Sequence, residues 1–215
     1  MPMPICEICK REYQRKTCNF CIREKQWDTI WKKEYTQKLF STRIIQNLHN
    51  IEPPKFPKNL KRGQYLHGPT GTGKTFKACS IMLESIHNYC ITREGNRDHV
   101  FVTVPQLLKR IKKTYNQNPE ETEDQILDEM IQVNFLLLDD FGAEKENAWA
   151  RQIMHLIISE RYEWMRTTFF TSNLDLNELT EKLGDDRIPS RIRGMCEIIQ
   201  SGDKDLRCRK HDTPK

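Results

Sequence analysis

Residues 68–75 read Gly-Pro-Thr-Gly-Thr-Gly-Lys-Thr, and this octapeptide decides the fold class. It fits the pattern G-x-x-x-x-G-K-[ST], in which glycines let the backbone turn sharply and bring its N–H groups close to a phosphate. The start of a helix then adds to the anion-binding nest that these groups form. The predicted phosphate-binding loop consists of Gly68, Pro69, Thr70, Gly71, Thr72, Gly73, Lys74 and Thr75. We expect Lys74 to reach the β- and γ-phosphates of ATP and the Thr75 hydroxyl to hold Mg²⁺.

The flanking sequence supports this interpretation. Residues 64–67 predict a short strand that enters the loop, and residues 76–89 predict an amphipathic helix that leaves it. A glycine-rich turn that binds nothing is the alternative, but the motif has the strand and the helix that a nucleotide-binding loop requires.

A second motif lies at residues 135–140, which read Phe-Leu-Leu-Leu-Asp-Asp. A strand with no polar alternation is buried on both faces, as in a parallel sheet, and ligands lie at the carboxyl ends of such strands. Together with the loop, this predicts that Asp139 holds Mg²⁺ and that Asp140 orients or deprotonates the attacking water. The alternative is a strand that simply ends in a polar turn.

Other segments predict the remainder of an α/β domain. Strands are expected at 99–104, 167–172 and 196–199, and helices at 105–115, 125–132 and 147–165. Asn173 follows the strand at 167–172, where it can position the lytic water. An Asx turn that starts the next helix is the other interpretation of this residue.

A cluster of four cations lies on the helix that begins near residue 105. Its members are Lys109, Arg110, Lys112 and Lys113, and Tyr115 follows them. Cations beside an aromatic ring can bind the phosphate backbone of a single-stranded nucleic acid. A solvated helix face explains the same charges without a ligand, and the mild net charge of +5 permits nucleic-acid contact without demonstrating it.

The first fifty residues carry two Cys-x-x-Cys pairs. No run of 18 apolar residues and no signal-peptide core is found, so we expect a cytoplasmic protein whose thiols stay reduced. Four thiolates in two knuckles suit tetrahedral Zn²⁺, and the candidate ligands are Cys6, Cys9, Cys18 and Cys21. Two disulfides or four unrelated thiols are the alternatives.

Residues 22–50 predict an amphipathic helix without proline or glycine. Its aromatic stripe can pack on its own domain or, together with the cysteine knuckles, form a surface that docks a partner. We therefore divide the chain into a zinc-knuckle and helix module at 1–50, a proline-rich linker at 51–62 and a nucleotide domain at 63–215.

The last segment is rich in arginine, the residue suited to planar, bidentate contact with phosphate. Arg187, Arg191 and Arg193 lie within seven residues, and one of them can complete the site of a neighbouring subunit. Arg207 can return to the γ-phosphate within the same chain.

Together, the motifs at 68–75, 136–142, 171–173 and 187–192 resemble those of AAA+ helicase loaders of the DnaC/DnaI kind and of the related IstB transposition ATPases. The resemblance implies a P-loop AAA+ core with a five-stranded parallel sheet, helices on both faces and no C-terminal lid domain. By position Asn173 resembles sensor 1, Arg191 the trans-acting arginine finger with Arg187 as second choice, and Arg207 sensor 2. The helices at 105–132 lie where loaders carry a single-strand-binding insertion, and the knuckle segment resembles the helicase-binding domain of DnaI-type loaders.

The resulting expectation is an ATPase that loads a replicative DnaB-type helicase onto single-stranded DNA. Its cofactors would be ATP, Mg²⁺ and Zn²⁺, and it would assemble with itself through the ATPase domain, without a membrane, in the cytoplasm of a bacterium or of the bacterial host of a phage or mobile element. An IstB-like transposition helper, a non-hydrolysing zinc adaptor that binds DNA, and a small-molecule P-loop kinase are the alternatives.

Overall fold

A computed structural model describes residues 37, 39–42, 44–45, 63–92, 98–116, 119–143, 147–202 and 205–206, with the backbone alone at 88–92. Between residues 63 and 200 the described residues form five strands and six helices, with one or two helices between successive strands. The strands are β1 (Gly63–His67), β2 (His99–Thr103), β3 (Phe135–Phe141), β4 (Thr167–Ser172) and β5 (Cys196–Gln200). The helices are α1 (Lys74–Thr92), α2 (Val104–Lys113), α3 (Glu123–Gln132), α4 (Ala148–Glu163), α5 (Leu176–Leu183) and α6 (Arg187–Met195).

All five strands form one sheet with the order β2-β3-β4-β1-β5, and every neighbouring pair is parallel. The predicted five-stranded parallel sheet is therefore confirmed. In the centre, Tyr65 of β1 lies opposite Phe170 of β4 on one side and Ile198 of β5 on the other. Because the strands are parallel, their carboxyl ends lie along one edge of the sheet, where ligands bind in such folds.

The strands separate two apolar clusters, one on each face of the sheet. Side chains alternate between the faces, so Leu137 packs with α1 whereas Leu136 and Leu138 face the helices α2 to α6. All three leucines have no exposed surface, as the unbroken apolar run of β3 predicts for a strand covered on both sides. The sheet thus holds β3 rigidly up to its polar end.

Local sequence signals fix where the helices begin and end. Thr103 caps α2 with its hydroxyl, Thr122 and Gln125 form a capping box at α3, and Gly184 ends α5 with a left-handed φ of 64°. The predicted helices at 125–132 and 147–165 differ from the observed α3 and α4 by two residues or fewer at each end.

The described part of the N-terminal segment packs against the nucleotide domain. Phe40 is 5% exposed and lies edge-on to Phe101 of β2, with ring centroids 5.7 Å apart. Leu39, Ile44 and Ile45 pack on the same cluster. The prediction of an unbroken helix over 22–50 is wrong here, because the chain bends at Phe40 and is not helical at Ser41. This bend turns the Phe40 ring into the core.

Other predictions for the N-terminal module fall on residues outside those described. Cys6, Cys9, Cys18 and Cys21 are among them, so the zinc site stays a prediction. Within the described ranges no cluster of three or more His, Cys, Asp or Glu side chains is arranged to hold a metal ion. The same ranges contain no helix with the length and apolar character needed to cross a bilayer.

Candidate nucleotide-binding site

The loop between β1 and α1 has the shape of an anion nest. Gly68, Gly71 and Gly73 have φ values of 134°, 89° and 82°, a region of backbone space that residues with a side chain rarely enter. The helix follows at once, with Lys77 N donating to Gly73 O at 2.9 Å. The loop amides and the first turn of α1 therefore form a site that fits a triphosphate.

Lys74 is buried at the base of this loop and is 8% exposed. Its Nζ donates to the carbonyl oxygens of Gly68, at 2.8 Å, and Pro69, at 2.7 Å. These contacts keep the ammonium group at the loop, where a phosphate can exchange for the carbonyls. The contact of Lys74 with the β- and γ-phosphates stays a prediction.

Asp139 at the end of β3 is joined to two threonines. Its Oδ1 accepts a hydrogen bond from Thr75 Oγ1 at 2.8 Å and another from Thr171 Oγ1 at 2.5 Å. Burial raises the pKa of the Asp139 carboxyl, and these two hydrogen bonds act in the opposite direction. Thr75 and Asp139 thus lie side by side, as ligands of one Mg²⁺ must, and Mg²⁺ usually takes few protein ligands and keeps several waters.

A bulge in β3 places Asp140 beside Asp139. Leu138 pairs with Phe170 and Phe141 with Ser172, so two residues of β3 oppose the single residue Thr171. Asp140 has a φ of 55°, and its N–H donates to Thr171 Oγ1 at 3.1 Å. The extra residue lets both carboxylates reach the same edge of the sheet.

Thr171 was not predicted as a site residue, although its hydroxyl connects both acids of β3. The sequence shows only that β4 ends in Thr-Ser-Asn, and the bulge that brings Thr171 opposite the acids arises from the pairing of β3 with β4.

Asn173 is exposed just beyond β4 and lines the same cavity as Asp139 and Asp140. The Asx-turn alternative is not observed, because α5 is capped by Asp175, whose Oδ1 accepts from the N–H groups of Asn177 and Glu178. Among the described residues the Asn173 side chain makes no hydrogen bond, so it is available to a ligand.

These groups surround one cavity of about 590 Å³, large enough for a nucleotide. Its polar end contains the loop, Lys74, Thr75 and the two acids. Its apolar side is made by a set that the sequence did not indicate, drawn from the N-terminal segment, α1 and β2: Leu39, Ile44, Phe76 and Phe101.

The chain returns to the loop after β5. Leu206 N donates to Gly71 O at 3.0 Å, and a Cβ at Gly71 would overlap the Asp205 carboxylate. The Leu206 contact is thus with a carbonyl oxygen of the loop. Arg207, predicted as sensor 2, lies outside the described residues.

None of the three arginines of α6 lines this cavity. Arg187 pairs with Asp185 at 2.6 Å and Arg193 with Asp186 at 3.0 Å. Arg191 Nη1 donates to the Arg187 carbonyl, while its Nε is buried and has no partner in the described structure.

The four cations of α2 differ in the contacts that they make. Arg110 is engaged by Glu121 and Glu129, which raise its pKa further above the ordinary range, the Glu121 hydrogen bond being the larger cause. Lys112 lies 5.0 Å above the Trp149 ring. Lys109 and Lys113 are exposed.

Comparison with known proteins gives one family. The model of the family "IstB-like ATP binding protein" matches residues 11–213. The replicative helicase loader DnaC of Buchnera aphidicola subsp. Baizongia pistaciae is 33% identical over 126 residues, 59% of this chain and 48% of that protein. The loader DnaI of Bacillus subtilis is 32% identical over 119 residues, 55% of this chain and 35% of DnaI. The chain spans about half or less of the length of these curated relatives.

Solved structures agree with the sequence comparison. A crystal structure of the DnaC helicase loader covers 74% of this chain and 86% of its own, with a TM-score of 0.54 and 25% identity. A crystal structure of DnaI covers 88% of both chains, with a TM-score of 0.52 and 26% identity. DnaA from Aquifex aeolicus, solved with AMPPCP, has a TM-score of 0.55 at 18% identity and shares the fold alone.

Proposed function

The chain belongs to the family of IstB-like ATP-binding proteins, and from this premise we propose that it is an ATP-hydrolysing loader of a replicative DnaB-type helicase in the bacterial cytoplasm. The observation that carries the proposal is the single cavity shared by the phosphate-binding loop, the Thr75–Asp139 pair and Asn173. Similarity to DnaC and DnaI supports the helicase partner, since these relatives are replicative helicase loaders.

Each side chain of the cavity has a proposed task. Lys74 and the loop amides bind the phosphates, and Thr75 with Asp139 would hold Mg²⁺, which neutralises charge on the β- and γ-phosphates when it is bound. Asp140 and Asn173 orient the attacking water. Hydrolysis then works as a switch between a form that holds the helicase and a form that releases it.

The ATPase assignment is tested with the purified full chain, its helicase and single-stranded DNA. We expect nucleotide binding and turnover in the wild type, loss of both in Lys74→Ala, and loss of turnover by about 10²-fold or more in Asp140→Asn. Lys182→Ala is a matched control for Lys74→Ala, because that lysine bonds the Gly142 carbonyl and does not line the cavity. Wild-type protein that binds no nucleotide at millimolar concentration would contradict the proposal.

We propose that the basic surface on α2 binds single-stranded DNA. Lys109 and Lys113 are exposed, and Lys112 stacks on Trp149, whose indole N–H donates to Tyr115 OH at 3.0 Å. Aromatic rings beside free cations favour stacked bases with an ion-paired backbone. Arg110 contributes less, because its guanidinium already has two carboxylate partners.

The salt dependence of DNA binding tests whether these lysines contact phosphate. Removal of one phosphate-binding lysine should lower the slope of log K against log salt by roughly 0.7 for a single strand. We expect this for Lys109→Ala and Lys113→Ala, with Lys182→Ala as the matched control. An unchanged slope in the double variant would exclude this surface.

We further propose that Arg191 acts on the nucleotide of a neighbouring copy. Its place on α6, outside the cavity of its own chain, and its unpartnered Nε support a role at an interface. Arg191→Ala should bind nucleotide normally and lose turnover by about 10²-fold, whereas Arg193→Ala should retain turnover. Equal losses in both variants would argue against this assignment.

The N-terminal residues 1–50 are proposed to bind one Zn²⁺ through Cys6, Cys9, Cys18 and Cys21 and to dock the helicase. Metal analysis of the full chain should give one zinc per chain, and none after replacement of Cys18 and Cys21 by Ser. Loss of helicase binding with retained ATPase activity would support a docking role for the module.

The family assignment also favours a second candidate, a helper ATPase of a transposase. Capture experiments with the full chain distinguish the two, because recovery of a transposase without a helicase would reverse our preference. A non-hydrolysing adaptor is a third possibility, and it predicts that Asp140→Asn is fully functional.

A further inference from the structure

A second cavity lies on another part of the surface, between α4 and the turn that joins α5 to α6. Its volume is about 230 Å³, and none of its lining residues lines the nucleotide cavity. Three lining side chains come from α4, namely Arg151, Gln152 and His155. The others are Leu183, Asp185, Arg187 and Ile188.

Two of the basic groups in this cavity lack partners. The Arg151 guanidinium makes no hydrogen bond or ion pair within the described structure. His155 Nε2 is buried without a hydrogen-bond partner among the described atoms, and so is Nε of the nearby Arg191. A buried polar atom left unpaired costs about 1–3 kcal/mol, so such a group commonly marks the place of a ligand or water.

The described residues that line the cavity have a positive net charge. Asp185 is the one acid among these described residues, and Arg187 binds it through Nη2 at 2.6 Å and Nε at 2.7 Å, lowering the pKa of Asp185 to about 2. Arg187 is thereby neutralised in part, while Arg151 remains uncompensated. Burial, then Arg191 and Arg187, lower the pKa of His155, and Asp185 opposes them.

We propose that this cavity binds an oxyanion of phosphate size, held by Arg151 and Arg187 as charged donors and by His155 Nε2. Guanidinium groups suit such a ligand because their N–H groups match the oxygens of phosphate in pairs. A cavity of this size admits a small ligand such as phosphate with bound water, because sites for drug-sized molecules begin near about 300 Å³.

The phosphate can come from two sources. One is free inorganic phosphate. The other is the terminal phosphate of a nucleotide held by a second copy of this chain, because α6 carries Arg187 in the cavity and Arg191 beside it. Only the second source rests on the proposed ATPase function.

The first arm of the test is a titration of the full chain with inorganic phosphate at constant ionic strength, followed through the NMR signals of the His155 ring. We expect a saturable shift and a rise of the His155 pKa as the anion binds. Arg151→Gln should weaken binding by about tenfold, the loss expected for one charge-assisted hydrogen bond, and the matched variant Arg166→Gln should not. Linear shifts, or equal shifts in Arg151→Gln, would overturn the site.

The second arm distinguishes the sources by mixing two variants. Lys74→Ala lacks a working nucleotide site but keeps the second cavity. Arg151→Gln keeps the nucleotide site but has a defective second cavity. A mixture with more ATPase activity than the sum of its parts identifies a second copy as the source. An additive mixture, with phosphate still saturating the wild-type cavity, identifies free phosphate. Wild-type ATPase activity without either result would reject the cavity and leave the proposed function standing.

Discussion

Asp139 shows how a buried carboxylate at the end of a strand is held by neighbouring hydroxyls at a cost to the fold. It is 5% exposed, burial raises its pKa, and the hydroxyls of Thr75 and Thr171 donate to one of its oxygens. A carboxyl whose pKa is raised by folding binds more protons in the native state than in the unfolded chain. The free energy of unfolding therefore falls as pH rises from the unfolded pKa through the folded one.

Asp139→Asn should accordingly stabilise the nucleotide-free protein at neutral pH while it abolishes Mg²⁺-dependent hydrolysis. The amide oxygen can still accept from both threonines, but it carries no charge to desolvate. Denaturant unfolding across pH 3–7 checks this, and the variant should lose the part of the pH dependence that Asp139 causes. A variant less stable than the wild type at pH 7 would show that charge-assisted hydrogen bonds outweigh desolvation.

Thr171 provides a second prediction at this scale. Thr171→Val removes the hydroxyl that donates to Asp139 and accepts from Asp140, so we expect a loss of about 1–3 kcal/mol of stability. Turnover should also fall, by about tenfold or more, as both acids lose their orientation. Thr171→Ser keeps the hydroxyl and is the control, and a defect in the Ser variant as large as that in the Val variant would contradict the role assigned to the hydroxyl.

Sequence motifs predicted Lys74, Thr75, Asp139 and Asp140, because each belongs to a local pattern with a known spacing. Thr171 could not be found in this way. Its role depends on a bulge that sets two residues of β3 against one of β4, and such a register exists only once the strands pair.

At the scale of elements, Arg161 ties three of them together. It is fully buried on α4 and donates to the carbonyls of Met130, Ile131, Val133 and Thr167 and to the hydroxyl of Thr168. Burial lowers its pKa to about 9, which leaves it charged at neutral pH. The last carbonyls of α3 are the negative end of that helix, so the guanidinium both satisfies and neutralises them.

Arg161→Leu should destabilise the domain by about 3–5 kcal/mol, since several buried carbonyls lose their donor at once. Arg161→Lys should recover only part of the lost stability, because an ammonium group cannot reach the same set of acceptors. Chemical denaturation measures both. Arg166→Leu, which removes a half-buried arginine that donates to the Gln132 carbonyl, is the matched control and should cost less.

The five strands and the helices α1 to α4 were predicted because their apolar periods are local, whereas the short helices α5 and α6 were not predicted. The same periodicity failed at Phe40 and Ser41, where the chain leaves the helix so that the Phe40 ring can pack against Phe101. The burial of Phe40 outweighed helix propensity there, and the local sequence gives no signal for the bend.

For the whole molecule, the nucleotide cavity is closed by segments from both ends of the described chain. Leu39 and Ile44 come from one end, Leu206 from the other, and Asp205 lies against the phosphate-binding loop at Gly71. These contacts join parts of the sequence more than 130 residues apart, counted from Gly71 to Leu206. For that reason motif spacing revealed the polar half of the cavity and not its apolar wall.

Asp205→Asn should tighten ATP binding by about fivefold, the equivalent of roughly 1 kcal/mol, which is the repulsion between two unit charges about 4 Å apart in bulk water. The gain should shrink as salt is added, because screening weakens the repulsion. Titration with a fluorescent nucleotide analogue measures it, with Asp128→Asn, an exposed carboxylate that does not line the cavity, as the control. Weaker binding in Asp205→Asn would show that this carboxylate supports the loop.

The position of β1 between β4 and β5 has a consequence for synthesis on the ribosome. The phosphate-binding loop leaves the exit tunnel early, but its strand must wait for both neighbours, and the last of them ends at residue 200. An incomplete polypeptide that ends before β5 therefore carries the whole motif with β1 flanked on one side alone.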